Sequence, residues 1–196
     1  MRQIFFDVET IKTFDEVGGY KPEELEVSFV GVIARKGEKG AGTEMKFFQP
    51  DLPKLWPIME SADVLIGFNT DGFDFPALQP YYSGRVADFP SLDLMARIKD
   101  SVGHRISLES VAQKTLGVGK SGSGLDAITY FREGKLDTLA EYCLQDVAIT
   151  RDIYDYGREK GFVKFLNRWN ELVEAKVDFS FTVKNQGAMQ MTLGGL

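Results

Sequence analysis

Gln3-Ile4-Phe5-Phe6-Asp7-Val8-Glu9 is the stretch on which the reading of the fold turns. Side chains alternate across an extended strand, so Ile4, Phe6 and Val8 share one face while Phe5, Asp7 and Glu9 share the other. Two carboxylates on one face at the end of an apolar strand repel each other unless something positive sits between them. Hard divalent cations take oxygen ligands of this kind. Taken alone, Asp-x-Glu is more often a solvated strand end than a ligand pair, because short motifs match by chance.

Outward from this strand, Glu26 to Ala34 is a second run rich in Val, Phe and Ile. Thr43 to Phe48 is a third, after the turn-forming Lys36-Gly37-Glu38-Lys39-Gly40. Three strands with no helix between them predict an antiparallel meander. A helix around Leu52 to Ser61 follows, then the apolar strand Val64 to Phe68, a helix beginning near Pro76, and a short strand or turn at Ser91 to Leu94. From Leu94 the pattern is helical. Ser107 heads Leu108 to Leu116, which stops at Gly117; Gly117 to Gly124 is a loop of Gly, Ser and Lys. A long helix is predicted from about Leu136 to Tyr156, stopping at Gly157, and Val177, Phe179, Phe181 and Val183 then alternate like a strand. Strands first, then βα units, then helices describe an α/β fold with a mixed sheet. The expected division is a main domain over 1–175 and a strand-like extension or tail over 176–196.

Two further acidic motifs lie downstream. Gly67-Phe68-Asn69-Thr70-Asp71-Gly72-Phe73-Asp74-Phe75-Pro76 follows a strand and precedes a helix, which is where α/β sheets place ligands. Asp74 there serves equally as a helix cap, and capping also favours an ionised carboxylate; Asp71 reads as a turn residue. Tyr142-Cys143-Leu144-Gln145-Asp146 lies on the long helix, where Tyr142 and Asp146, four apart, stack on one face. Ile149 and Ile153 continue that face, so Asp146 sits in or beside the apolar stripe, costly unless paired or metal-bound. An acid at the stripe's edge reaching water is the competing reading. Asp-x-Glu and Tyr-x-x-x-Asp each occur once in the chain, on the required element types, with Asp74 roughly midway.

In this order the motifs resemble the DEDD superfamily of 3′→5′ exonucleases, over about residues 3–157. Tyr142 four before Asp146, with Glu at position 141 where the histidine-type subfamily has His, makes the resemblance one to the tyrosine type. The segment Lys120 to Leu125 is similar to a group of stand-alone or helicase-associated members. The resemblance implies a ribonuclease H-like fold, with the first strand central in a mixed five-stranded sheet flanked by helices. It implies two divalent cations, Mg²⁺ or Mn²⁺, held by Asp7, Glu9, Asp74 and Asp146, with Asp7 bridging and Tyr142 orienting the attacking water. The implied substrate is the 3′ end of a single DNA or RNA strand, released as nucleoside 5′-monophosphates, with a helicase or polymerase as possible partner. The competing classes are a non-catalytic nucleic-acid-binding or polymerase-associated module, and a ribonuclease H-type endonuclease.

Bulk properties fit this reading. At 196 residues, 43% apolar and 27% charged, the chain suits one sizeable globular domain. No run approaches the ~20 apolar residues of a membrane span, no signal-peptide pattern follows Met1, and the single cysteine, Cys143, excludes an internal disulfide; a cytoplasmic location is expected. The net charge of −6 opposes phosphate binding, but four acids facing two divalent cations would leave the cleft near neutral. Gly119-Lys120-Ser121 ends like a nucleotide-binding loop, yet Lys114 stands where that motif needs glycine. Candidate substrate contacts are Arg105 and Lys120 to phosphates, Phe68 and Phe73 to bases, and Asn69 beside them. Asp93 reads as a helix cap and Cys143 as packing.

Overall fold

A computed structural model describes residues 1–119, 122 and 124–181. Its main sheet has five strands, β1 (Arg2–Thr10), β2 (Val27–Lys36), β3 (Thr43–Phe48), β4 (Val64–Gly67) and β5 (Ser91–Asp93), in the spatial order β3-β2-β1-β4-β5. β1 to β3 pair antiparallel, while β4 lies parallel to β1 and β5 parallel to β4. The meander followed by parallel units is therefore present, and β1 is the central strand. It is the ribonuclease H-like arrangement expected from the motifs.

The alternation along β1 sorts its side chains into two cores. Ile4, Phe6 and Val8 pack with Leu52, Leu55 and Met59 of α1 (Leu52–Glu60) and with Phe75 and Leu78 of α2 (Asp74–Leu78). Phe5 packs on the opposite face with Ile98 of α3 (Leu94–Val102) and Val111 of α4 (Leu108–Thr115). Each fully buried aliphatic or aromatic side chain contributes about 1.5–3 kcal/mol relative to exposure, so a one-residue slip of β1 would forfeit both cores. Asp93 and Ser107 cap α3 and α4 by accepting from the backbone N–H of Ala96 and Ser110.

A further helix, α5 (Gly124–Arg132), follows the Gly/Ser loop and was not anticipated; only Ala127 and Ile128 of it are buried, too few to print a helical stripe on the sequence. The long helix α6 (Leu136–Lys160) crosses the Phe5 face of the sheet and contributes Val147, Ile149, Ile153 and Tyr154 to that core. It does not stop at Gly157. A Cβ there would lie 2.4 Å from the ring of Phe179, so this glycine is an intimate packing point and not a terminator. The helix ends three residues later, at Lys160, and is capped by Gly161, whose φ of 75° suits the left-handed position.

Beyond α6 comes an antiparallel hairpin, β6 (Phe162–Leu166) and β7 (Leu172–Lys176), packed on α4 and α3. The alternation at Val177, Phe179 and Phe181 does not continue β7 as a strand: Phe179 stacks on Tyr154 instead, with ring centroids 6.3 Å apart. Val183 lies outside the described residues. Among the described residues, no helix is long and apolar enough to cross a membrane.

Candidate active site

Asp7 and Glu9 close the Phe5 face of β1, where α6 passes over the sheet. The approach is made possible by Gly31, the β2 partner of Asp7. A Cβ on Gly31 would stand 2.9 Å from Cys143 Sγ, 3.3 Å from Val147 and 3.4 Å from Leu144, so the absent side chain is the notch into which α6 settles. Cys143 Sγ comes to 3.5 Å from the Asp7 carbonyl oxygen and 3.6 Å from its carboxylate, donating its proton towards both. Glu9, Tyr142 and Asp146 are all buried, with at most 6% of their surface exposed. Asp7 is half-buried.

Asp74 arrives from the other side. It is the first residue of α2, 2% exposed, and its Oδ1 accepts the backbone N–H of Val8 at 3.0 Å. Burial pushes its carboxyl well above the usual range, and the charges of Asp7 and Asp93 push it further. The Cys143 thiol is likewise held well above its ordinary value, first by burial and then by Asp7, Glu9 and Asp146.

Asp7 and Asp146 open onto a cavity of about 400 Å³. Phe68, Asn69 and Arg105 line it, together with Met95, Ile106, Ser107 and Leu108, which the sequence did not single out. Arg105 donates to Asn69 Oδ1 at 2.5 Å. Asn69 sits at φ 74°, a left-handed position that asparagine tolerates, and its N–H donates to Asp93 Oδ1 at 2.8 Å. Asp93 also accepts from the N–H of Asp71 at 3.1 Å, so beyond capping α3 it shapes the loop that precedes Asp74. Phe73, which precedes Asp74, lies edge-on to Phe14 with centroids 6.1 Å apart. Lys120 lies outside the described residues.

Asp7, Glu9 and Cys143 have ligating atoms within 4.8 Å of one another. A protonated thiol is a poor partner for a hard cation, so the sulfur is better understood as a donor to Asp7 than as a ligand. What remains is an all-carboxylate donor set, whose mutual repulsion a divalent cation would relieve. The residues fit such an ion.

A mixed 3-2-1-4-5 sheet with acids at the end of its central strand and on the helix crossing it is the arrangement of ribonuclease H-like proteins. The RNase_H_2 profile of the RNase H superfamily matches residues 4–157, and the chain belongs to that superfamily. Among solved structures, the chain is similar to the family B DNA polymerase of the hyperthermophilic archaeon Pyrobaculum calidifontis, at 21% identity and a TM-score of 0.59, over 81% of this chain and 24% of the polymerase. It is also similar to E. coli exonuclease I in complex with a dT13 oligonucleotide, at 13% identity and a TM-score of 0.47, over 81% of this chain and 41% of that one. The chain thus spans less than half the length of either. No curated protein matches it.

Proposed function

We propose that this chain is a metal-dependent 3′→5′ exonuclease of the tyrosine-type DEDD class, acting on the 3′ end of a single DNA or RNA strand. The observation that carries this reading is the convergence of Asp7, Glu9 and Cys143 with Asp146 beside an open cavity, while Asp74 is tied to the same strand end through Val8. Asp7, Glu9, Asp74 and Asp146 would hold two Mg²⁺ or Mn²⁺ ions. When bound, such ions supply charge stabilisation at the phosphate and a lowered pKa for the attacking water.

The chain's own groups account for the rest. The cavity wall offers apolar surface from Phe68, Met95 and Leu108 for a terminal nucleoside, and polar groups from Asn69 and Arg105. Arg105, exposed on its loop, is placed to meet a phosphate or sugar oxygen. Tyr142, on the helix face that carries Asp146, orients the water; a free phenol titrates near ~10, so orientation is its role and not bulk proton abstraction. The superfamily membership and the fold shared with the polymerase are consistent with this reading. A helicase or polymerase partner belongs to the proposal on the motif resemblance alone.

The test is a 5′-labelled single strand incubated with the protein and Mg²⁺ or Mn²⁺, with chelator, and with Asp7→Ala. A ladder shortening from the 3′ end, dependent on metal and lost in the variant, is the expected result. Absence of cleavage of both DNA and RNA with both metals overturns the reading, and internal cuts in a circular strand would make the protein an endonuclease.

A further inference from the structure

Residues 158–181 lie beyond the stretch that the superfamily profile matches, and they hold Trp169, a large apolar ring left 65% exposed. The chain has two tryptophans, and the other, Trp56, is half-buried against Tyr82. Trp169 sits at the tip of the β6–β7 hairpin, in the turn Asn167-Arg168-Trp169-Asn170. This turn is braced. Asn167 Oδ1 accepts from the backbone N–H of Trp169 and of Glu171, each at 3.0 Å, and the Asn170 N–H donates to the Asn167 carbonyl at 2.9 Å. The ring is therefore held out into solvent by a defined backbone. The Arg168 guanidinium lies over it, 4.1 Å from the centroid.

The hairpin is also fixed to the wall of the candidate site. Thr115 at the end of α4 accepts from the Lys164 N–H at 2.8 Å and donates to the Lys164 carbonyl at 3.0 Å, and Leu108 at the other end of that helix lines the cavity. Phe165 on β6 meets the ring of His104 edge-on at 6.2 Å, and the next residue, Arg105, lines the cavity and bonds Asn69. Packing thus links the cavity wall at Arg105, through His104 and the buried Phe165, to the strand that leads into the hairpin turn. The turn between β6 and β7 carries Arg168 together with Glu171, whose carboxylate accepts from Asn167 Nδ2 at 2.9 Å and so faces the base of the turn, while Arg105 stands exposed on the loop before α4.

An exposed ring with a guanidinium stacked on it matches the chemistry of single-stranded nucleic acid, which offers π-faces and phosphates in alternation. The tip is small beside the roughly 800 Å² per partner of a stable protein interface. Resting on the nuclease reading above, we infer that the hairpin tip is a second contact for the substrate strand. Trp169 stacks on a base upstream of the 3′ end held in the cavity, and Arg168 meets a neighbouring phosphate. The hairpin thereby lengthens the footprint of the site without touching the reacting atoms.

The experiment uses the whole 196-residue chain carrying Trp56→Phe and Asp146→Asn, in which Trp169 is the sole tryptophan and cleavage is disabled, with Mg²⁺ and labelled single strands of DNA and RNA. Saturable change in Trp169 emission, with a midpoint matching that from anisotropy, is expected. Trp169→Ala on this background should raise the anisotropy Kd about 5- to 100-fold, Trp169→Phe should retain most of the affinity, and Arg168→Gln should reduce the salt slope by about one. Thermal melting of each variant confirms that the exposed turn has not unfolded the chain. Strand binding with no emission change and an unaltered Kd in Trp169→Ala overturns the inference and leaves the nuclease reading standing. No binding of either strand, with no cleavage by the unsubstituted protein, overturns both. An emission change that follows protein concentration alone, with sedimentation as a dimer, assigns the tip to a second copy and overturns the inference.

Discussion

The backbone N–H of Val8 donates to Asp74 Oδ1 across 3.0 Å, tying the strand that carries Asp7 and Glu9 to the helix that begins with Asp74. β1 pairs with β4 only from Gln3 to Phe5, so Asp74 takes a donor that the parallel ladder no longer reaches. This bond helps to hold a carboxylate where burial and the charge of Asp7 both oppose its ionisation. Geometry fit for a cation is thus kept at an electrostatic cost that a cation would relieve.

That cost has a sign that can be measured. With its folded pKa raised above the unfolded value near ~3.9, Asp74 binds its proton more tightly when folded. Its contribution is most favourable at low pH and is lost as pH rises from the unfolded value through the raised folded one. Asp74→Asn keeps an oxygen for Val8 and removes the charge. In chelator at neutral pH it should melt about 2–8 °C above the parent, a gain that shrinks as the pH falls towards ~4. It should also lose the stabilisation that Mg²⁺ gives the parent. A lower melting temperature for the variant in chelator at neutral pH, read by scanning fluorimetry, would contradict the account.

The contact between Gly31 and Cys143 yields a second expectation. Gly31→Ala places a methyl group 2.9 Å from Sγ and should cost about 1–3 kcal/mol, with α6 lifted off β2 and activity reduced alongside stability. Gly31→Ala combined with Cys143→Ala removes the colliding sulfur, so the pair should be more stable than the sum of the single effects predicts. Denaturant titration of the four proteins gives the coupling. Strict additivity would mean that the sulfur is not what limits the helix's approach.

Tyr142→Phe separates orientation from packing. The ring is buried and lies edge-on to Tyr130 at 6.4 Å, contacts that phenylalanine keeps. Loss of the hydroxyl should lower kcat by about 100-fold or more on single-stranded substrate, in the range for a positioned acid–base or water-orienting group. KM and the Mg²⁺-induced rise in melting temperature should stay close to the parent's. A parental kcat would remove Tyr142 from the chemistry.

What the sequence displayed was what local periodicity can carry. Period-two alternation placed Asp7 and Glu9 on the face that α6 crosses, and helical spacing placed Asp146 beside Tyr142 on that helix. Asn69 and Arg105 were anticipated near the site, and both line the cavity. Contacts between distant segments were not legible. Nothing near Gly31 in sequence reports Cys143, and nothing near Asp93 reports that it also holds the N–H groups of Asn69 and Asp71. The β6–β7 hairpin was missed because its strands are short and end in exposed polar turns. Phe73 meets the ring of Phe14 edge-on, a tertiary contact that leaves no local trace in the sequence.

Gly157 shows the same override with a measurable consequence. In a helix interior, replacing glycine by alanine ordinarily stabilises by roughly 0.8–1 kcal/mol, because the backbone loses less entropy on folding. Here the added Cβ would lie 2.4 Å from two carbons of the Phe179 ring and 3.3 Å from Val177, and Phe179 itself is stacked on Tyr154 in the core. The clash should outweigh the propensity gain, so Gly157→Ala is expected to destabilise by about 1–3 kcal/mol. Phe179→Leu in the same background frees the space the ring occupied, and should recover part of the loss while exposing the ordinary glycine-to-alanine gain. Urea unfolding midpoints for the two single variants and the double decide it: a more stable Gly157→Ala would mean that the chain after β7 does not press on α6 in solution.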